Sequence, residues 1–88
     1  MARFLIKSHH TPEQCVASLD EVAEKNPELL NKFDWGCKAG DHTGYVTIEK
    51  NSESEARDVL PSRLRDSSEV VKLNKFTMED IKSFHEYA

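Results

Sequence analysis

Eighty-eight residues make one domain with a modest core, since a chain of this size buries only about 60–65% of its unfolded surface. Twelve Lys and Arg against sixteen Asp and Glu give a formal net charge of −4, which argues against binding a phosphate backbone over a broad surface. Two cysteines, Cys15 and Cys37, are too few for a disulfide-stapled scaffold. The opening apolar run is too short for a secretion signal, and no segment has the length of a membrane span. The expectation is a single cytoplasmic domain over residues 1–88, with no membrane partner.

Arg3–Lys7 is short, apolar and bounded by polar residues, so it reads as a strand with Phe4 and Ile6 on one face. A helix start follows, with Thr11 as N-cap, Pro12 at the first helical position and Gln14 where a capping box wants Glu or Gln. Val16, Leu19, Val22 and Ala23 recur at helical spacing and define its inward stripe. Asn26-Pro27 ends or kinks that helix, and Glu28–Asn31 allows a further short turn.

Phe33–Cys37 reads as a second strand, Gly40–Gly44 as the turn of a hairpin and Tyr45–Glu49 as the returning strand. Ser52 with Glu55 starts a second helix. Its stripe is Ala56, Val59, Leu60 and, past Pro61, Leu64. Glu69–Leu73 is the fourth strand, and Thr77 caps a last helix through Met78, Ile81, Phe84 and Tyr87. The resulting order, β-α-β-β-α-β plus a C-terminal helix, is the α+β ferredoxin-like arrangement.

With Phe33-x-Trp-Gly, the Gly-rich hairpin, Gly44-Tyr-Val-x-Ile-Glu49 and the Ser52-x-x-Glu helix in that layout, the chain resembles the dimeric α+β-barrel superfamily. It is similar to small bacterial and archaeal domains of that group. The resemblance implies a homodimer in which two sheets close face to face around a cavity. Members include oxygenases, isomerases, haem-degrading enzymes and ligand binders, so the fold selects no function. No catalytic motif of that superfamily maps onto these residues, so no catalytic residue is carried over and the cofactor is left open.

The sheet faces are assigned by alternation. Phe4, Ile6, Val46, Ile48, Val71 and Leu73 are expected under the helices, leaving Leu5, Lys7, Tyr45, Thr47, Val70, Lys72 and Asn74 on the other face. That second set is half apolar and half polar, which suits a subunit interface, a pocket wall or a single-stranded nucleic-acid platform.

In this topology the end of the first strand and the hairpin share one sheet edge, which gathers His9, His10, Asp41 and His42 beside the helix start at Thr11. Imidazoles with a carboxylate suit a transition metal, and free N–H groups suit an anion. Without a C-x-x-C or H-x-x-x-H spacing they read first as exposed loop residues, and none is assigned as a metal ligand. Cys37 and Cys15 read as packing residues, since free cysteine is so often buried. Trp35 and Tyr45, on adjacent hairpin strands, are candidate walls of a ligand pocket or simple cross-strand partners. The carboxylates Asp34, Asp41 and Glu49 read as solvated.

An RNA-recognition reading needs a basic residue and further aromatics on the third strand, where this chain has Asp41, Thr43 and Ile48; it ranks last. The function expected is therefore a homodimer that binds a small organic ligand or acts as an accessory enzyme, through Trp35, Tyr45, His9, His10 and His42. The alternatives are metal or anion binding at the histidine edge and, last, single-stranded nucleic acid.

Overall fold

The protein is described by a computed structural model covering residues 1–87. Its core is a four-stranded antiparallel sheet in the order β2-β3-β1-β4, formed by β1 (Ala2–His9), β2 (Asp34–Trp35), β3 (Thr43–Lys50) and β4 (Ser68–Leu73). The helices are α1 (Cys15–Lys25), α2 (Pro27–Lys32), α3 (Glu53–Arg57), α4 (Ser62–Arg65) and α5 (Met78–Tyr87). Single 3-10 turns at Pro12–Gln14 and Cys37–Ala39 complete the described residues. None of these helices is long and apolar enough to cross a membrane.

The expected α+β class and four antiparallel strands are present. Several details depart from expectation, each for a local reason. The second strand was expected over Phe33–Cys37 but ends at Trp35. At Gly36 the chain turns so tightly that a Cβ would lie 2.7 Å from the Asp41 carbonyl oxygen. The reversal then runs through Cys37–Ala39 to Gly40, whose φ of 90° is the left-handed conformation that glycine tolerates. Gly44 belongs to β3 rather than to the turn; a Cβ there would sit 2.8 Å from the Trp35 ring.

Helix α1 is also rotated from its expected phase. The 3-10 turn at Pro12–Gln14 advances more degrees per residue than an α-helix does, so the inward face starts at Cys15 and continues through Ser18 and Val22. Val16, expected inside, is 68% exposed. In β4 the faces are exchanged: Ile6 pairs with Val70 and Phe4 with Lys72, so Val71 and Leu73 lie on the uncovered face. The run Val70-Val71 is apolar in both phases, and the buried Ser68, opposite the buried Ser8, sets the register.

The core is Ile6, Val22, Leu29, Phe33, Val46, Leu60 and Leu64. Between α3 and α4 the helix is broken at Pro61, which leaves carbonyls without helical partners. Cationic side chains occupy them: Lys25 Nζ donates to Asp58 O (2.7 Å) and Leu60 O (2.8 Å), and Arg65 donates to the same two oxygens. Beyond α4, Arg57 donates to Arg65 O and Ser68 O, both at 2.8 Å. The break thereby seats Leu60 and Leu64 in the core.

Helix α5 stands apart. Thr77 caps it through Asp80 N (3.1 Å), and Phe76 meets Phe84 edge-on at 5.5 Å. Met78, Ile81 and Phe84 nevertheless remain exposed. The side chain of Tyr87, expected in the same stripe, lies outside the described residues.

Leu60 is fully buried, so Leu60→Ala is expected to cost about 3 kcal/mol of stability through lost burial and a cavity. The check is a urea melt in which the midpoint falls while the slope is kept.

Candidate metal site at the β1–α1 corner

Beyond His9 the ladder continues by one bond, His10 N donating to His42 O at 3.1 Å. That bond clips the exit of β1 to the entry of β3. Thr11 then turns the chain, with its N–H donating to Gln14 Oε1 (3.3 Å), and delivers Cys15 to the first position of α1 on the inward face. From the other side, the turn after Gly36 delivers Cys37.

The outcome is a four-residue cluster of His10, Cys15, Cys37 and His42, all half-buried. One potential ligand atom from each lies within 4.8 Å of all the others. Tetrahedral Zn–S and Zn–N bonds of about 2.3 and 2.0–2.1 Å imply ligand separations of roughly 3.3–3.8 Å, so a contraction of about 1 Å would close the set on an ion. His10 Nε2 already lies 3.2 Å from Cys37 Sγ. The Nδ1 atoms of His10 and His42 are buried and have no hydrogen-bond partner among the described residues. A buried polar atom without a partner is costly, and here two of them occur in one cluster.

The electrostatics favour neutral, ligating imidazole. Burial pushes His10 below the ordinary histidine range, and the neighbouring His42 and Arg63 add to that, opposed by a backbone contact with Ser8 and by Asp41. Burial pushes the Cys37 thiol up, with the adjacent Cys15 next in effect. His10 is thus held neutral and Cys37 as a thiol until something stabilises the thiolate, which a bound cation would do.

The residues expected at a ligand site separate into two groups. His10 and His42 join the cluster, their ring centroids 5.8 Å apart, and Trp35 flanks it with its ring 6.0 Å from His10 and stacked on Phe33 at 4.9 Å. Trp35 pairs with Gly44 and Tyr45 with Asp34, so Trp35 lies on the helix-covered side and Tyr45 on the uncovered one. The two aromatics therefore share no wall. His9 is on Tyr45's side, its ring bonded to Thr43 Oγ1 (3.1 Å) and Glu69 Oε1 (2.9 Å). A groove of about 520 Å³ near Arg3, Lys32, Thr47 and Lys50 lies at the opposite end of the sheet and is lined by none of these five residues.

Sequence reasoning reads the two cysteines as packing and offers metal binding only as an alternative, through His9, His10 and His42 without either thiol. The signal it passed over is the symmetry of two pairs, His10-x4-Cys15 and Cys37-x4-His42. Neither pair is a recognised motif alone, and they become one site only through the β1–β3 ladder. Comparison of the chain with known protein families, with curated proteins and with solved structures finds no match.

Beside the cluster, Tyr45 donates its hydroxyl to Asp41 Oδ2 at 2.5 Å. That bond, ahead of one from Thr43, holds the Asp41 carboxyl below its ordinary range, and the same carboxylate pushes the Tyr45 phenol up. The bond therefore stabilises the fold above the unfolded carboxyl range and loses effect as pH falls through the lowered Asp41 value. At the alkaline end it is present below the unfolded phenol range and is lost as pH rises through the raised Tyr45 value. In Asp41→Asn the phenol is expected to ionise at lower pH than in the parent, as read by tyrosinate absorbance.

Proposed function

We propose that this protein is a zinc-binding domain whose ion is held by His10, Cys15, Cys37 and His42. The observation that carries the reading is the convergence of two thiols and two imidazoles from two chain segments within 4.8 Å. Two nitrogens and two sulfurs in tetrahedral array is a donor set that suits Zn²⁺. Four protein ligands leave no open position for water or substrate, so the ion holds the β1–α1 corner to the loop between β2 and β3 rather than activating a nucleophile. The paired free thiols suit a reducing compartment, which accords with a cytoplasmic location.

The reduced protein is expected to bind one Zn²⁺ per chain, and Co²⁺ in the same site to give the visible absorption of a tetrahedral thiolate complex. Cys37→Ser should weaken zinc by more than about 100-fold, since loss of an outer-shell partner alone costs 10–100-fold. Substoichiometric metal in the fully reduced protein would refute the reading.

A second reading concerns the partner and rests on two surfaces that this chain leaves uncovered. One is the open sheet face, with Val71 40% exposed beside Leu5 and Leu73; the other is the stripe Phe76, Met78, Ile81 and Phe84 of α5 and its lead-in. A ten-residue helix is marginal without packing. A homodimer in which these surfaces meet those of a second copy, as in a dimeric α+β barrel, covers both under two-fold symmetry. An organic ligand would then lie between the sheets, against Tyr45. Sedimentation at increasing concentration is expected to show a dimer that Val71→Glu converts to monomer, and a parent chain that stays monomeric at high concentration excludes it.

A further inference from the structure

The cluster contains the only two cysteines of the chain, and their placement carries a consequence beyond metal binding. Both are free, both are half-buried, and their sulfurs belong to the set of atoms that lie within 4.8 Å of one another. A disulfide needs about 2.05 Å between sulfurs, so closing it requires an approach of less than about 3 Å, on the scale of side-chain rotation between staggered positions. Cys15 opens α1, where the helix leaves its side of the site fixed. Cys37 begins a single 3-10 turn bounded by Gly36 and Gly40, the more adjustable of the two. With no third cysteine present, the pair has one intramolecular product.

We infer that Cys15 and Cys37 form a reversible dithiol–disulfide pair that empties the metal site when a disulfide oxidant, such as oxidised glutathione, takes their electrons. The gating rests on the zinc reading; the sulfur chemistry does not. One cysteine, as thiolate, attacks a sulfur of the oxidant RSSR and displaces RS⁻. The second attacks the mixed disulfide and displaces the other RS⁻. The Cys15–Cys37 bond forms, the oxidant's S–S bond breaks, and two electrons pass from the cysteine sulfurs to give two RSH. From the metal-free dithiol the two protons come from the cysteines themselves. From the zinc-bound dithiolate they come from solvent, and the ion leaves because only His10 and His42 remain as donors.

The test uses the full chain in mixtures of oxidised and reduced glutathione, with thiols trapped by alkylation and read by intact mass, and Zn²⁺ measured on the same samples. The expected result is a single-chain species about 2 Da lighter than the dithiol. Its zinc should fall from one per chain to below a tenth, and dithiothreitol should restore both. In Cys15→Ser the same mixture should leave a glutathione adduct on Cys37 in place of the lighter species. Zinc binding by the reduced chain with no intramolecular disulfide, or with disulfides only between chains, overturns the switch and leaves the zinc reading standing. A Cys15–Cys37 disulfide in a chain whose reduced form binds no zinc overturns the zinc reading, and the gating with it.

Discussion

The structure hangs on the pairing of β1 along both of its edges. Each residue from Ala2 to His9 has a partner in β3, and Arg3 to Ser8 also have partners in β4. A central strand held this way has no freedom of register, because a slip of one residue would turn Phe4, Ile6 and Ser8 out of the core and bring Leu5 and Lys7 in. The same alternation sorts the consecutive histidines. His9 ends the strand on the uncovered face with Thr43 and Glu69, while His10, one step beyond, turns under the helices toward the thiols. The His–Cys cluster is therefore a product of strand register as much as of the four residues themselves.

The broken second crossover shows how a small core economises. Pro61 interrupts what the periodicity reads as one helix, yet Ala56, Leu60 and Leu64 are all buried. The carbonyls exposed by the break are met by Lys25 and Arg65, and those of Arg65 and Ser68 beyond α4 by Arg57, charge-assisted bonds of the stronger kind. Three of the twelve basic residues thus serve the backbone, and a reading of surface charge from composition overstates what is free to meet a partner.

What the sequence shows depends on whether a pattern survives in one dimension. The Ala56–Leu60–Leu64 stripe and the Ser52 and Thr77 caps are legible because they are local. The phase of β4 is not, since Val70 and Val71 satisfy either face and only pairing with β1 decides between them. The end of β2 at Trp35 was hidden too, because the alternation of Phe33–Cys37 runs on past the tight turn that Asp41 N closes on Gly36 O. The histidine edge was visible in outline through topology. Its cysteines were not, since Cys15 faces inward only after the 3-10 turn resets the helix, and Cys37 lies on a turn where a strand was expected.

The brevity of β2 has a separate effect on the sheet margin. Its ladder meets β3 only at Gly44 and Tyr45, so among the described residues no strand neighbours that side of β3 from Val46 to Lys50. Bare margins of this kind template further strands and so seed aggregates. Here Glu49 and Lys50 set opposite charges at the far end of the margin, and Thr47 is the exposed residue between the apolar Val46 and Ile48. The stretch is thereby guarded in part by ionic side chains, a protection that weakens as salt screens the charges.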